Sequence, residues 1–277
     1  MARLTTSSSI KVVVILLLML ALFGIAGAGA CTVNSFKSGT YTEIGNADIR
    51  TSEVESISID WAAGQVDVEV YEGDTVKLTE EAVGLSKAQS MRWEVKNGKL
   101  KIDYGSWLSC FSISEKKLRV QIPQSMASLE ELSIDGASGS YNVSDLNCVN
   151  LKVSLASGTL HANNLDTGST KLSAASGKFF YNGEITDSLK VDLVSGTAEV
   201  ALDGFVPRNV DADITSGTCT VYLPENEGFS LKIDKVSGSF QNEFETTSPG
   251  KEELYKDGGN SHISVDMVSG KFYLKRA

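Results

Sequence analysis

Apolar and polar residues alternate in short bursts along most of this chain. The bursts are punctuated at a near-constant interval by a Ser-Gly pair. LKVSLASGTLHA from Leu151, TKLSAASGKFFY from Thr170 and LKVDLVSGTAEV from Leu189 are three consecutive copies. LSIDGASGSYNV from Leu132, VDADITSGTCTV from Val210, LKIDKVSGSFQN from Leu231 and ISVDMVSGKFYL from Ile263 follow the same template, and ISIDWAAGQVDV from Ile57 is an outlying copy. The serines Ser138, Ser157, Ser176, Ser195, Ser216, Ser237 and Ser269 are separated by 19, 19, 19, 21, 21 and 32 residues. A fixed period near 20 is the signature of stacked repeats. Within a unit, Leu189 and Val191 point one way and Lys190 and Asp192 the other; after the Ser-Gly, Ala198 and Val200 repeat the alternation. Period two is the mark of a strand with one buried face.

Two strands this short cannot bury a face alone. Stacked coil on coil about 4.8 Å apart they share a continuous core. The expected fold is therefore all-β: a right-handed β-solenoid (parallel β-helix) of about 19–21 residues per coil, its hand following the crossover rule for parallel strands. The inward column after the corner reads Tyr141, Leu160, Phe179, Ala198, Cys219, Phe240 and Phe272, with no polar intruder. The corner glycines Gly64, Gly139, Gly158, Gly177, Gly196, Gly217, Gly238 and Gly270 permit a positive φ or a close approach of neighbouring backbones. A serine at the same place in seven copies is a structural residue bonding its own turn, since a nucleophile is needed once.

Residues 57–125 are less regular. VDVEVYEGDTVKLTEE reads as strand, turn at Gly73-Asp74, strand, and MRWEVKNGKLKIDYG as a hairpin on Asn97-Gly98. Pro123 and Pro224 end strands. The region is expected to be a hairpin-rich cap that blunts the solenoid edge, although VKLT from Val76 and LKID from Leu100 leave degenerate coils open. Residues 126–277 form the regular solenoid, with a surface insertion near 243–260 read as a solvated loop.

The first thirty residues differ in kind. Arg3 and Lys11 precede the apolar run Val12–Phe23, and small residues follow to Ala30. This reads as a hydrophobic helix serving as signal peptide or membrane anchor. Cys31 directly follows Ala28-Gly29-Ala30, in the manner of a bacterial lipobox, although Ala28 stands where leucine is usual; Cys31 is the lipidation candidate. An acylated anchor, an uncleaved span and free secretion are the alternatives, and all place the body outside the cytoplasm. Residues 31–56 form a polar tether and a first strand.

Charge and chemistry narrow the function. The formal net charge is −10 with a pI near 4.8, and no basic stripe is present, which argues against a nucleic-acid partner. Apart from Cys31 the cysteines are Cys110, Cys148 and Cys219, an odd number without CxxC spacing, so neither a disulfide framework nor a zinc site is expected. The recurring Asp/Ser position before each corner (Asp135, Ser154, Ser173, Asp192, Asp213, Asp234, Asp266) reads as turn-capping, with Lys190 and Lys232 offsetting charge. A cation held by Asp192, Asp213 and Asp234 is the sharper alternative. His161 and His262 lack a partner acid that breaks the repeat, and GxSxG is absent. No catalytic residue and no cofactor are expected. Phe180 falls on the outward face and is expected to pack against a loop.

The Ser-Gly units, the strand ends at Pro123 and Pro224 and the closing GGNSHISVDMVSGKFYL together resemble the putative-adhesin family of bacterial cell-envelope proteins, a domain of unknown function, over roughly 50–277. The resemblance implies a non-enzymatic β-solenoid, exported or membrane-attached, serving adhesion or surface interaction with an envelope protein or glycan. An envelope-stress sensor and a polysaccharide-acting β-helix enzyme are the alternatives.

Overall fold

The computed structural model describes residues 41, 43–105, 116–126, 128–247 and 253–277. The apolar run Val12–Phe23, with the helix expected there, Cys31 and Cys110 lie outside the described residues. The described chain is all-β and solenoid-like. Its strands join one curled sheet wrapped around one apolar core.

Nine coils are described, each made of a pre-corner and a post-corner strand. Coil one is Ser56–Trp61 with Gln65–Tyr71, and coil two is Lys99–Asp103 with Lys117–Pro123. Coil three is Leu129–Gly136 with Ser140–Ser144. Coil four begins with Asn147–Leu155. The long strands Thr159–Ala174 and Lys178–Leu193 each finish one coil and open the next, so coil six ends with Thr197–Leu202. Coil seven is Asn209–Ile214 with Thr218–Leu223. Coil eight is Phe229–Lys235 with Ser239–Asn242, and coil nine is Ser261–Met267 with Lys271–Arg276.

Neighbouring coils pair in parallel and in register, so equivalent repeat positions stand directly above one another. Leu151 faces Leu132 on one side and Thr170 on the other; Phe179 faces Leu160 and Ala198. The inward residues of coils three to seven and nine are buried, and those of coil eight only in part. Each such side chain contributes about 1.5–3 kcal/mol.

The order of the coils in space departs from chain order at both ends. Coil one lies between coils two and three. Coil nine lies between coils seven and eight. The spatial order is two, one, three, four, five, six, seven, nine, eight. Both outermost coils of the sequence are thus interior rungs, paired on each side.

The two ends are closed differently. Beyond coil two, Thr75–Glu81 pairs antiparallel with Lys117–Gln121, and Ala47–Arg50 pairs antiparallel with Thr75–Glu81. On the other face, Arg92–Lys96 and then Glu43–Ile44 cover Lys99–Asp103 in the same sense. The irregular region is therefore both things at once: two degenerate coils and an antiparallel cap. LKID is a coil strand and VKLT a cap strand. At the far end, among the described residues, Glu253–Tyr255 alone covers coil eight, against Phe229–Leu231. The insertion is accordingly more than a solvated loop: Phe244 and Tyr255 are buried against Phe229, with ring centroids 5.0–5.3 Å apart.

The corners explain their glycines in two ways. Gly139 has φ 128°, and a Cβ there would lie 2.2 Å from the Gly64 carbonyl oxygen. Gly196 has no positive φ, yet a Cβ would lie 2.3 Å from the Gly177 oxygen. Close stacking of backbones is thus the requirement common to both corners. The ladder runs unbroken through the bend: Ser157 N–H donates to Ala137 O at 2.8 Å and Thr159 N–H to Gly139 O at 2.9 Å. The corner serine hydroxyls differ from the expected turn-bonding role. Ser237 Oγ donates to Val268 O at 3.1 Å and Ser269 Oγ to Thr215 O at 3.2 Å, across coils and not within the turn.

Candidate functional site

Three places on this scaffold concentrate chemistry. The first is the acidic column before the corner. In-register stacking sets Asp103, Asp60 and Asp135 on successive coils, then Ser154, Ser173, Asp192, Asp213, Asp266 and Asp234. Coil swapping rearranges the expected cation column: Asp192 and Asp213 are neighbours, but Asp266 separates Asp213 from Asp234. Lys190 Nζ lies 3.3 Å from Asp192 and 2.8 Å from Asp213, and Lys171 lies 3.4 Å from Asp192. The pair of carboxylates is held by ammonium groups of its own sheet. Among the described residues no group of three His, Cys, Asp or Glu is arranged to hold a metal ion.

Asp60 and Asp103 occupy the same repeat offset in ISID and LKID and so belong to this column; the irregular surroundings of those copies hid them. Burial pushes the Asp60 carboxyl up to about 7, with the negative fields of Asp135 and Asp103 adding to the rise. Burial also raises Asp103 and Asp135. Lys99 and Lys101 oppose the shift at Asp60. Burial first, then Asp103 and Asp60, push the nearby Tyr41 hydroxyl up to about 12. Between about pH 4 and 7 the native Asp60 therefore holds a proton that the unfolded chain has released, so stability falls as pH rises through that window. For one fully buried carboxyl the slope would be about 1.4 kcal/mol per pH unit; Asp60 is partly solvated, so its slope is smaller. Glu131 and Asp67, both lowered, pull the other way only at more acidic pH. The expected result is a melting temperature that rises on going from pH 7.5 to pH 5. Asp60→Asn should flatten that rise and stabilise the protein at pH 7.5. Thermal melts of both proteins across this range check it, and an unchanged slope in the variant refutes the assignment.

The second place lies under the capped end. Lys116 stands where coil two would carry its corner glycine, directly beside Gly64, whose added Cβ would meet the Lys116 carbonyl oxygen at 2.0 Å. Its side chain is fully buried. The ammonium lies 2.6 Å from Glu80 and donates to Gln89 O at 2.8 Å and to Tyr104 O. It sits 4.9 Å from the Trp61 ring centroid and 4.1 Å from that of Tyr104. Glu80 in turn accepts the Met91 amide at 2.8 Å. Burial lowers the Lys116 pKa, and Glu80 opposes that loss. This cluster ties cap to coil, and no spacing in the sequence announces it.

The third place is the outward face after the corner. Asn142, His161 and Phe180 face out on successive coils. His161 and Phe180 stack with centroids 5.1 Å apart and planes 9° apart. Phe180 thus packs on a histidine of the adjacent coil, not on a loop. Farther along, Lys275 lies 5.6 Å from the Tyr222 ring and 5.9 Å from that of Tyr273.

The remaining reactive residues are held inside or paired locally. Cys148 and Cys219 are buried free thiols, and burial pushes both up to about 12. Ser230 Oγ lies 2.7 Å from His262 Nδ1, a contact between coils eight and nine that the sequence pattern does not reveal. A serine–histidine pair acts as a nucleophile when a third group orients the base.

A search among curated proteins finds no match. Solved structures match at low identity. A putative cell adhesion protein from Clostridium sporogenes is 15% identical, the alignment covering 85% of this chain and 99% of that one, with a TM-score of 0.44. Putative adhesins from Bacteroides fragilis and Parabacteroides distasonis are each 12% identical over 84% of this chain and 97% of theirs, with TM-scores of 0.46 and 0.47. The family model described as Toastrack DUF4097 matches residues 54–275, from the strand of coil one to the end of coil nine, and the chain belongs to that family.

Proposed function

We propose that the protein is a non-enzymatic interaction module displayed outside the cytoplasm and held at the cell envelope by its N-terminal segment, in the manner of an adhesin. On this reading the coils wind right-handed and Cys31 is the point of lipid attachment. The post-corner face carries the proposal. Its in-register columns present the stacked His161–Phe180 pair and flanking amides as a flat row about 4.8 Å per step. Such a row suits many weak contacts to a repetitive partner, which together exceed any one of them. The apolar run after Arg3 and Lys11 supports the location.

The test is adhesion by cells displaying the full chain, compared with cells displaying the His161→Ala/Phe180→Ala variant at equal surface density. Retention on immobilised envelope material should fall about tenfold, the scale of losing a small cluster of contacts of 1.4 kcal/mol in total. Equal retention by both would exclude this face.

A further inference from the structure

The two ends of the coil stack are closed unequally. The end nearest the chain start is covered on both faces by antiparallel strands. Its outermost strands are short and carry Glu43, Asp48 and Arg50, the usual means of blunting an edge. Among the described residues, the opposite end is covered along Phe229–Leu231 alone. Among the described residues, Ser239–Asn242 pairs with coil nine alone.

The open edge has definite chemistry. Ser239 N–H donates to Gly270 O and Glu243 N–H to Leu274 O, both toward coil nine. Strand alternation therefore turns the amides and carbonyls of Phe240 and Asn242 outward, where no strand of the described residues meets them. The core is also unfinished here. Phe240 and Ile233 are only partly buried, whereas their counterparts in coil nine, Phe272 and Val265, are buried. Val236 at the corner is 72% exposed. Lys235 and Asn242 occupy inward positions that in coil nine are Met267 and Leu274.

We propose that this edge binds a second copy of the same chain, strand Ser239–Asn242 against its own two-fold mate, in antiparallel sense. Four observations favour that occupant. The strand carries no charge, so self-pairing sets no like charges directly opposite. A register centred on Phe240 or on Gln241 keeps inward residues inward, and either brings the two Phe240 rings to one face beside the Phe240–Phe272 stack already present at 6.1 Å. The one centred on Gln241 also pairs the outward amides and carbonyls of Phe240 and Asn242 and sets the two Gln241 side chains opposite each other. A two-fold contact closes both open edges at once, whereas head-to-tail stacking finds only the blunted end and cannot propagate. Lys232 and Lys235 keep the pre-corner half of the edge solvated, which confines the contact to the neutral strand. The pair so formed has its two strand-capped ends, each with Glu43–Ile44 and Ala47–Arg50, at opposite ends. If the chain starts are anchored, as proposed above, the contact bridges two surfaces; only that last step rests on the adhesion reading.

Gln241 is exposed and points out from the edge strand, so a charge there leaves the fold intact. The experiment measures the mass of the detergent-solubilised full chain by sedimentation up to about 100 µM. The wild type should dimerise. Gln241→Lys and Gln241→Glu should each raise the Kd at least tenfold, and an equimolar mixture of the two should dimerise again. A monomeric wild type, dimers that survive either charge, or a mixture that stays monomeric would each overturn the proposal. Dimers with these properties in solution, together with cells that fail to adhere, would leave the contact standing and remove the adhesion reading alone.

Discussion

Ending the chain after Asn260 is expected to strip two coils, not one. Coil nine supplies the ladder partners of both coils seven and eight. Without it, coil eight keeps only its three-residue pairing with Glu253–Tyr255. The truncation removes Ile263, Val265, Met267, Phe272 and Leu274 from the core and uncovers Phe229 and Leu231. At about 1.5–3 kcal/mol each, the loss is on the order of 10 kcal/mol, as large as the net stability of a whole domain. Coils in a stack answer mainly to their neighbours, so the damage should be graded. Hydrogen exchange on the chain ended after Asn260 should show Phe229–Asn242 exchanging as an unfolded segment while coils three to six keep their protection. Stacking in chain order would instead leave coil eight docked on coil seven, and persistent protection there would contradict the swapped arrangement.

Replacing Lys116 by methionine should destabilise the protein by about 3–5 kcal/mol, the usual result of leaving one member of a buried ion pair unpartnered. The orphan is Glu80, buried within reach of the Met91 amide. The ammonium also satisfies the Gln89 and Tyr104 carbonyls and faces two aromatic rings. Glu80→Gln made in the same chain should recover most of the loss, because the glutamine carbonyl still accepts from Met91 and no charge is left buried. Urea unfolding of the two single variants and the double variant closes the cycle. A single-variant loss below about 1 kcal/mol would mean that the pair contributes no more than an exposed one.

Both predictions fall where the sequence is least informative. Alternation placed Leu189, Val191, Ala198 and Val200 inward, and the Ser-Gly period located the corners, because each depends only on residues within one coil. The same local logic made Cys219 a small buried residue and set Phe180 outward. Asn97-Gly98 marked its hairpin for the same reason. The acidic column was visible too, but its membership and neighbours were not: Asp60 and Asp103 sat in irregular copies, and Asp266 took the place beside Asp213.

Coil order belongs to the tertiary structure alone. Every coil offers nearly the same apolar stripe and the same edge of backbone donors and acceptors, so any coil pairs acceptably with any other. What selects the order is what the ends require. A terminal coil held between two others gains a second ladder: the chain steps past one rung between Pro123 and Leu129 and again between Leu223 and Phe229, while the longer connections around residues 72–98 and 243–260 join adjacent coils. The 32-residue interval before Ser269 carries the chain from coil eight back to the rung left open beside coil seven, legible in the sequence as an insertion but not as a reversal of direction. Lys116 is the same lesson at the scale of one side chain. Its burial depends on Glu80, Trp61, Gln89 and Tyr104 arriving from separate strands and a loop, and only the folded chain brings them to one ammonium.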